Sequence, residues 1–227
     1  MRLPTVPRRR VPITLILVLA LAWGAFGADR LAATIVSGRI ADRTESYGFT
    51  ARPGVTVEGF PFLTQLISGR LDGVDLTAPG LRAGPVTVTD VHARAIGVTL
   101  SSAGHPATIA HLTGAGLIPF SGLTKLAGAH LPGLAVSAAG PHKPDQVALH
   151  LTLAVVTVTA VASVSLSTGG LVVLHVISAP VPSFLLRQFR VITFRLPALP
   201  LRLTVHSLMI THAGALVSVR GDDVRLG

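Results

Sequence analysis

One stretch, residues 55–81, constrains the fold most, because two strand patterns in it flank a corner that no strand can continue through. Apolar and polar residues alternate before and after this corner, as they do in strands with one buried face. At the corner itself Pro61 has no N–H to donate to a neighbouring strand, so the chain must leave the sheet. The predicted order is Val55–Glu58 as a strand, Gly59-Phe60-Pro61-Phe62 as the corner, Leu63–Ile67 as an amphipathic turn and Leu71–Ala78 as a second strand.

The remainder of the chain is rich in Val, Leu, Ile and Thr, a composition that favours strands over helices. Apolar alternation changes sides within the predicted strand Val86–Leu100, which indicates either a bulge or a crossing of a sheet edge. The predicted strands are Val86–Leu100, Gln146–Thr168, Leu171–Ile177, Val191–Leu196, Leu201–Ile210 and Ala215–Arg220. We interpret Gln146–Thr168 as one long bent strand rather than a hairpin, because its phase slips near Val156 without Gly, Pro or Asn.

Helices and loops complete the predicted order. Asp29–Gly48 reads as a helix with Leu31, Ile35, Val36 and Ile40 on its apolar side, and Ser121–Ala129 as a short helix capped by Ser121. Ser183–Gln188 is a third helical segment. Ser101–Gly116, rich in Gly, Ser and Ala, is predicted to be a loop. The turn signal Thr211-His212-Ala213-Gly214 precedes the last strand.

The amino-terminal residues have the pattern of an export signal. Arg8-Arg9-Arg10 precede an apolar run, Val11–Phe26, and small residues follow it at Gly27 and Ala28. The run lies at the boundary between a signal peptide and a short membrane anchor, so cleavage and retention are both left open. In either case the basic flank predicts that the domain formed by residues 29–227 lies outside the cytoplasm, with residues 1–28 as the targeting segment.

Charge and cysteine content exclude several classes of function. The formal net charge is +9, but four of the 19 basic residues lie within the first ten positions, which leaves 15 against 10 acidic residues. A single Trp and a single Tyr provide little for stacking on bases, so no nucleic-acid partner is expected. A modest positive charge suits anionic lipid headgroups. The absence of cysteine excludes disulfides and thiolate chemistry.

The sequence contains few of the residue patterns that an enzyme active site would require. Between Asp90 and Asp222 the only carboxylate is Asp145, so a pair of carboxylates for acid–base catalysis is not available there. The nine histidines form no metal-binding motif, and no phosphate-binding loop or nucleophile elbow is present. Asp90, His92 and Arg94 share a strand face and are interpreted as a solvated strip. The chain is therefore predicted to be no enzyme and to need no metal or cofactor.

Apolar lipid binding requires no catalytic group, because each buried CH₂ contributes about 0.8 kcal/mol. We expect two apolar groups to line the mouth of a lipid cavity, with arginines of the second group meeting the lipid phosphate. The first group is Phe60, Phe62, Leu63 and Leu66; the second is Phe184, Leu185, Phe189 and Phe194, with Arg187 and Arg190 interleaved. This hypothesis predicts that Phe62→Asp lowers lipid occupancy.

The segment GFPFLTQLISGRLDGVDLTA at Gly59–Ala78 resembles the signature of the actinobacterial LmeA-like phospholipid-binding proteins, and the C-terminal LPALPLRLTVHSLMITHAGALVSVRGDDVRL resembles their closing β-hairpin. The resemblance spans residues 29–227. It implies an α+β, β-dominated tubular lipid-binding fold, in which a long curved antiparallel sheet wraps an N-terminal helix around an apolar cavity. It also implies binding of membrane phospholipid at the outer surface of the cytoplasmic membrane.

The expected function is therefore extracytoplasmic phospholipid binding, with lipid transfer as one form of it, in cell-envelope maintenance or lipoglycan assembly. The alternative is a non-catalytic scaffold domain of the envelope, which predicts a filled core and no extractable lipid. An envelope hydrolase or transferase would need a polar acid–base cluster that the sequence does not contain.

Overall fold

A computed structural model describes residues 13–45, 48–101, 106–140, 143, 145–153, 156–167, 171–180, 191–195 and 203–226. Within these residues the chain is dominated by antiparallel strands, with a long N-terminal helix, which confirms the predicted α+β class. The helices are α1 (Ile13–Glu45), α2 (Phe62–Ser68) and α3 (Phe120–His130). The strands are β1 (Gly54–Glu58), β2 (Arg70–Ala83), β3 (Val86–Thr99), β4 (Ala107–Pro119), β5 (Leu134–Ala138), β6 (Gln146–Leu153), β7 (Val156–Ser167), β8 (Leu171–Ser178), β9 (Val191–Arg195), β10 (Thr204–Ile210) and β11 (Gly214–Leu226).

The first sheet has six strands in the order β1-β2-β3-β4-β11-β10 and carries α1 on its inner face. Ala33 and Val36 of α1 pack into a core formed by side chains from α2 and five strands: Val57, Phe62, Leu71, Ala95, Val98, Ile109 and Val224. The outer face is polar. Asp75, Arg94, Thr113 and Arg220 follow one another across four paired strands, so this side of the sheet is solvated.

The second sheet has five strands in the order β5-β6-β7-β8-β9. Its inner face contributes Val147, Leu149, Ala162 and Leu174 to a second core. That core is shared with Ile210 and Ala215 of the β10–β11 hairpin and with Phe120 and Leu123 of α3. The β10–β11 hairpin is therefore hydrogen-bonded to the first sheet, whereas its side chains Ile210 and Ala215 pack in the second core. In this way the hairpin connects the two sheets.

The predicted change of side in β3 is confirmed. Asp90 has a φ of 50°, and the register between β3 and β4 shifts between Thr89 and His92. An irregularity of this kind lets a strand bury alternate positions before it and the opposite set after it. Val86 is buried before this point, and Ala95 is buried after it.

The predicted loop at Ser101–Gly116 is wrong, because Ala107–Pro119 forms β4 at the centre of the first sheet. A loop is predicted because this segment is rich in glycine, but glycine is also found in strands. A Cβ added at Gly114 would lie 3.0 Å from Cγ2 of Val219, so a glycine here serves close packing against a neighbouring side chain. Gly114 is therefore explained by the close approach of the Val219 side chain and not by a turn in the backbone.

The single bent strand predicted for Gln146–Thr168 is also wrong. β6 and β7 are separate antiparallel partners, paired from Gln146–Ser163 to Leu153–Val156. The change in phase near Val156 is the point where the chain reverses direction. The alternative hairpin interpretation is therefore correct, although Ala154 and Val155 lie outside the described residues.

The helices differ from the prediction in their faces and caps. α1 uses Asp29, Ala33 and Val36 as its inner face, whereas Leu31 and Ile35 are exposed, so the predicted apolar stripe is rotated. The cap residue of α3 is Pro119 rather than Ser121, and it makes no side-chain cap hydrogen bond. The predicted helix at Ser183–Gln188 lies outside the described residues. Within the part of the chain that the structure describes, no helix has the length and hydropathy that crossing a membrane requires.

Candidate functional site

The corner between β1 and β2 depends on a glycine that no other residue can replace without strain. Gly59 follows the last residue of β1 and has a φ of 98°, in the region that favours glycine. A Cβ at this position would lie 2.7 Å from Oδ2 of Asp72 and would collide with the side-chain amide of Gln65. The Phe60–Pro61 peptide bond is cis, and α2 begins at the next residue. At this corner the side chains of Gln65 and Asp72 therefore pack directly against the backbone of Gly59.

Hydrogen bonds from Gln65 and Gly69 fix α2 to the sheet. Gln65 Nε2 donates to the carbonyl of Glu58 at 3.4 Å, and the N–H of Asp72 donates to Gln65 Oε1 at 2.8 Å. Gly69 ends the helix in the left-handed conformation, and its carbonyl accepts from the N–H of Leu100 at 2.8 Å. The helix is thus tied to the end of β1, the start of β2 and the end of β3.

A carboxylate from α1 caps α2. Asp29 is only 3% exposed, and its Oδ1 accepts a hydrogen bond from the N–H of Leu63 at 2.8 Å. Pro61, the residue at the cap position of α2, makes no side-chain cap bond, so Asp29 satisfies a donor that the local sequence leaves free. The other oxygen, Oδ2, is buried without a hydrogen-bond partner. This contact fixes the two helices relative to each other.

The structure separates the two phenylalanines of the corner. Phe62 is 1% exposed and lies in the first core beside Leu71. Phe60 is 58% exposed, and its ring centroid lies 5.7 Å from that of Phe26 on α1. The guanidinium carbon of Arg30 lies 5.5 Å from both ring centroids, within the range of cation–π attraction. Phe62 therefore supports the core, whereas Phe60 belongs to a surface cluster.

Around this cluster the surface is apolar. On α2, Leu63, Leu66 and Ile67 share one face at helical spacing and point outward, with Ile67 88% exposed. On α1, Trp23 precedes Phe26 by three residues and is 73% exposed. We call this surface the apolar corner; it comprises Trp23, Phe26, Arg30, Phe60, Leu63, Leu66 and Ile67.

The second predicted group of lipid-contacting residues lies mostly outside the described part of the chain. This holds for Phe184, Leu185, Arg187, Phe189 and Arg190. Of Phe194 the structure describes the backbone alone, which pairs with Val172 in the second sheet. The role assigned to this group stays a prediction.

The polar side chains near the corner form surface ion pairs. Arg94 contacts the carboxylate of Glu58 and lies 3.6 Å from Oδ1 of Asp75. A hydrogen bond with Asp75, and next desolvation, raise the pKa of Glu58 above its ordinary 4.5, although the Arg94 charge acts in the opposite direction. His92 and Asp90 are exposed beyond this pair. Arg94 thus pairs with carboxylates of β1 and β2, while Asp90 and His92 lie exposed on the same strand.

A second surface pair joins β4 to β11. His111 Nδ1 lies 2.6 Å from Oδ1 of Asp222, and Arg220 lies 3.5 Å from the same oxygen. The hydrogen bond with His111, followed by the charge of Arg220, holds the pKa of Asp222 below its ordinary 3.8. Both partners are more than half exposed, so the pair contributes little to stability.

One row of side chains resembles part of a catalytic triad. Ser137 Oγ lies 2.9 Å from His150 Nε2, and His150 Nδ1 lies 2.9 Å from Thr159 Oγ1. In a triad the third member is a carboxylate, which stabilises the imidazolium formed when the histidine takes the serine proton. A threonine hydroxyl is neutral and cannot do this. The row is best explained as cross-strand hydrogen bonding on the outer face of the second sheet.

The structure also describes a shallow groove of about 370 Å³ at the far end of β2. Its walls include charged and polar side chains, which do not suit an acyl chain. The lining residues are Arg52, Gly54, Thr77, Ala78, Pro79, Asp90 and His92. Within the described ranges no three His, Asp or Glu side chains come together as metal ligands would.

Sequence reasoning missed five residues of the site: Trp23, Phe26, Asp29, Arg30 and Ile67. Dividing the chain at Ala28 separated the first two from the folded domain, although α1 runs without interruption through this position. A usable signal existed, since positions 23, 26 and 30 follow the spacing of one helix face. Their contact with Phe60 is a tertiary contact, which no local pattern indicates.

Comparison with known proteins gives one match. No curated protein and no solved structure matched the chain. The family model described as LmeA-like phospholipid-binding matches residues 27–220, a range that includes most of both sheets and all of the apolar corner except Trp23 and Phe26. The chain therefore belongs to the LmeA-like phospholipid-binding family.

Proposed function

We propose that this protein is an extracytoplasmic phospholipid-binding protein that works at the outer surface of the cytoplasmic membrane, in maintenance of the cell envelope. Membership of a phospholipid-binding family supports the ligand class. The basic residues and apolar run ahead of Ala28 support the location. Lipoglycan assembly is one envelope process in which such binding can be used.

The observation that carries this proposal is apolar surface on the inner faces of both sheets that packing leaves partly open. Val74 of β2 and Leu112 of β4 are only partly buried around the first core, as are Leu100 just after β3 and Val36 on the facing helix α1. Leu134, Val136, Ala160, Val164 and Leu208 are partly buried around the second. Each CH₂ of an acyl chain laid on such a surface would contribute about 0.8 kcal/mol.

The polar groups at hand favour binding over catalysis. The described ion pairs lie on the outer face of the first sheet, and the Ser137–His150–Thr159 row lies on the outer face of the second. Both are on the side opposite the apolar surface where a lipid tail would lie. Among the residues that the structure describes, a lipid bound on the inner faces would therefore meet the apolar side chains of the two cores, and the Ser137–His150 pair would lie on the other side of the sheet.

The test is quantification of phospholipid in an organic extract of the purified full-length protein by mass spectrometry. The matched variants are Val164→Asp, on the inner face of β7, and Ser165→Asp, its outward-facing neighbour. We expect the first to lower the lipid-to-protein ratio and the second to leave it unchanged, with circular dichroism used to compare folding. An unchanged ratio in both folded variants would contradict binding on the inner faces.

The same extract distinguishes the alternative role. A non-catalytic scaffold domain of the envelope would contain no lipid above the level of an unrelated membrane protein prepared in parallel. Lipid transfer, the more specific form of the proposal, requires movement of a fluorescent phospholipid from donor to acceptor vesicles at a rate that depends on protein concentration. Lipid occupancy without such movement would limit the function to binding.

A further inference from the structure

We propose that the apolar corner is a surface that docks onto a phospholipid bilayer containing anionic lipid. The inference rests on the proposed function and gives this surface a separate role. The lipid tail lies on the inner faces of the sheets, whereas the corner contacts the membrane from which that lipid comes. The occupant is the bilayer interface, and not a lipid molecule held inside the domain.

The apolar side chains of the corner are exposed to solvent. Burial in α2 is inverted relative to an ordinary surface helix, because Leu63, Leu66 and Ile67 face outward while Phe62 faces the core. Phe60 and Trp23 extend the same apolar surface beyond the helix, with more than half of each side chain exposed. Contiguous apolar surface of this kind on a folded domain marks a site of contact with a partner or a membrane.

Composition and charge identify the partner as a bilayer. Aromatic rings favour the boundary between headgroups and acyl chains, and an arginine beside them can extend to lipid phosphate while its stem stays in the apolar layer. The corner has this arrangement, since Arg30 lies over the rings of Phe26 and Phe60. None of the seven residues of the corner is acidic, so nothing within it repels an anionic headgroup.

The corner is also preorganised. Asp29 fixes α2 to α1, and Gln65 fixes α2 to β1 and β2, while Phe62 is held in the core. Side chains on such a support lose less conformational entropy on docking than side chains on a mobile loop. Moreover, α1 extends from the corner back to Ile13 through mostly apolar residues, which belong to the run predicted from the sequence to be a signal peptide or a membrane anchor.

The chain contains no cysteine, so a single fluorescent label can report docking without background. The full-length protein is reconstituted in vesicles of phosphatidylcholine with phosphatidylglycerol, and the labelled variants are Ile67→Cys and Ile96→Cys. Both positions are exposed isoleucines, at 88% and 46%, but Ile96 lies on the polar outer face beside His111. An environment-sensitive dye at position 67 should shift to the blue and be quenched by lipids that carry a quencher in the acyl chain. The dye at position 96 should do neither.

Arg30→Gln tests the requirement for anionic lipid. An arginine near an anionic surface contributes an attraction that corresponds to about a fivefold change in a binding ratio. We therefore expect the ratio of docked to undocked label at position 67 to fall about fivefold in the mixed vesicles. In vesicles of phosphatidylcholine alone, the variant and the unsubstituted protein should differ little. If the variant and the unsubstituted protein docked equally in the mixed vesicles as well, the role of Arg30 would be overturned.

Other outcomes separate this inference from the proposed function. If the label at position 67 stays in water while phospholipid co-purifies, the docking inference fails and the proposed function stands. If the label enters the bilayer but no lipid is extracted, the proposed function fails instead. A label already shielded without vesicles, with energy transfer between labelled copies, would assign the corner to a second copy of the chain and overturn bilayer docking.

Discussion

Replacement of Phe62 by alanine should destabilise the domain far more than the same replacement at Phe60, although the two residues flank one proline. Phe62 is 1% exposed and packs with Leu71 in the first core, and loss of a buried phenylalanine costs about 3–5 kcal/mol through lost burial and the cavity left behind. Phe60 is 58% exposed, so its replacement removes mainly the ring contact with Phe26 and the Arg30 contact, together about 1 kcal/mol.

Thermal unfolding followed by circular dichroism measures this difference directly. For a domain of this size each kcal/mol shifts Tm by about 2–4 °C, so Phe62→Ala should lower Tm by roughly 10 °C and Phe60→Ala by about 3 °C. Leu71→Ala, in contact with the same core, serves as a second buried reference. Equal shifts for Phe60→Ala and Phe62→Ala would refute the assignment of one ring to the core and the other to the surface.

A test of lipid binding at the apolar corner requires a substitution at Phe60, which is exposed, and not at Phe62, which is buried. A carboxylate at position 62 would be buried without a partner, so Phe62→Asp would lower lipid occupancy by unfolding the first core. Phe60→Asp adds a charge to an exposed position and leaves the core intact. Loss of lipid in a folded Phe60→Asp variant would therefore report on lipid or membrane contact.

Three further predictions concern the corner and the outer face. Asp29→Ala should destabilise the protein by about 1–2 kcal/mol in urea unfolding because it removes the cap of α2, whereas Asp29→Asn keeps an acceptor for Leu63 and should cost less; equal losses would contradict the capping role. Gly59→Ala should lower stability by about 1–3 kcal/mol in the same assay, because its φ of 98° and the nearby Asp72 oxygen disfavour a Cβ, while Gly24→Ala, where a Cβ meets nothing, should not. Because the pKa of Asp222 is lowered in the folded state, its stabilisation is present above the ordinary 3.8 and is lost as pH falls through the lower folded value. Asp222→Asn should therefore make urea midpoints less dependent on pH in that acidic range, and an unchanged pH profile would show that the His111 pair contributes nothing.

Local sequence patterns correctly predicted the turn between β1 and β2, because the residues that determine it are close together in the chain. Pro61 has no N–H to donate to a neighbouring strand, and the alternation of apolar and polar residues defines β1 and β2. The same patterns failed at β4 and in the β6–β7 hairpin. There, Gly114 and the residues near Val156 have a meaning that depends on the neighbouring strands.

The amino-acid sequence by itself determined the β-dominated class, the family and the position of the corner, since strand alternation, the Gly-Phe-Pro-Phe motif and the apolar run are properties of contiguous residues. Tertiary structure alone decided which phenylalanine is buried and which is exposed, because burial depends on what α1 and the sheet bring against each ring. It also decided that Asp29, 34 residues before Leu63 in the chain, caps α2. A hydrogen bond across that separation follows from the packing of α1 against the sheet, and no periodicity encodes it.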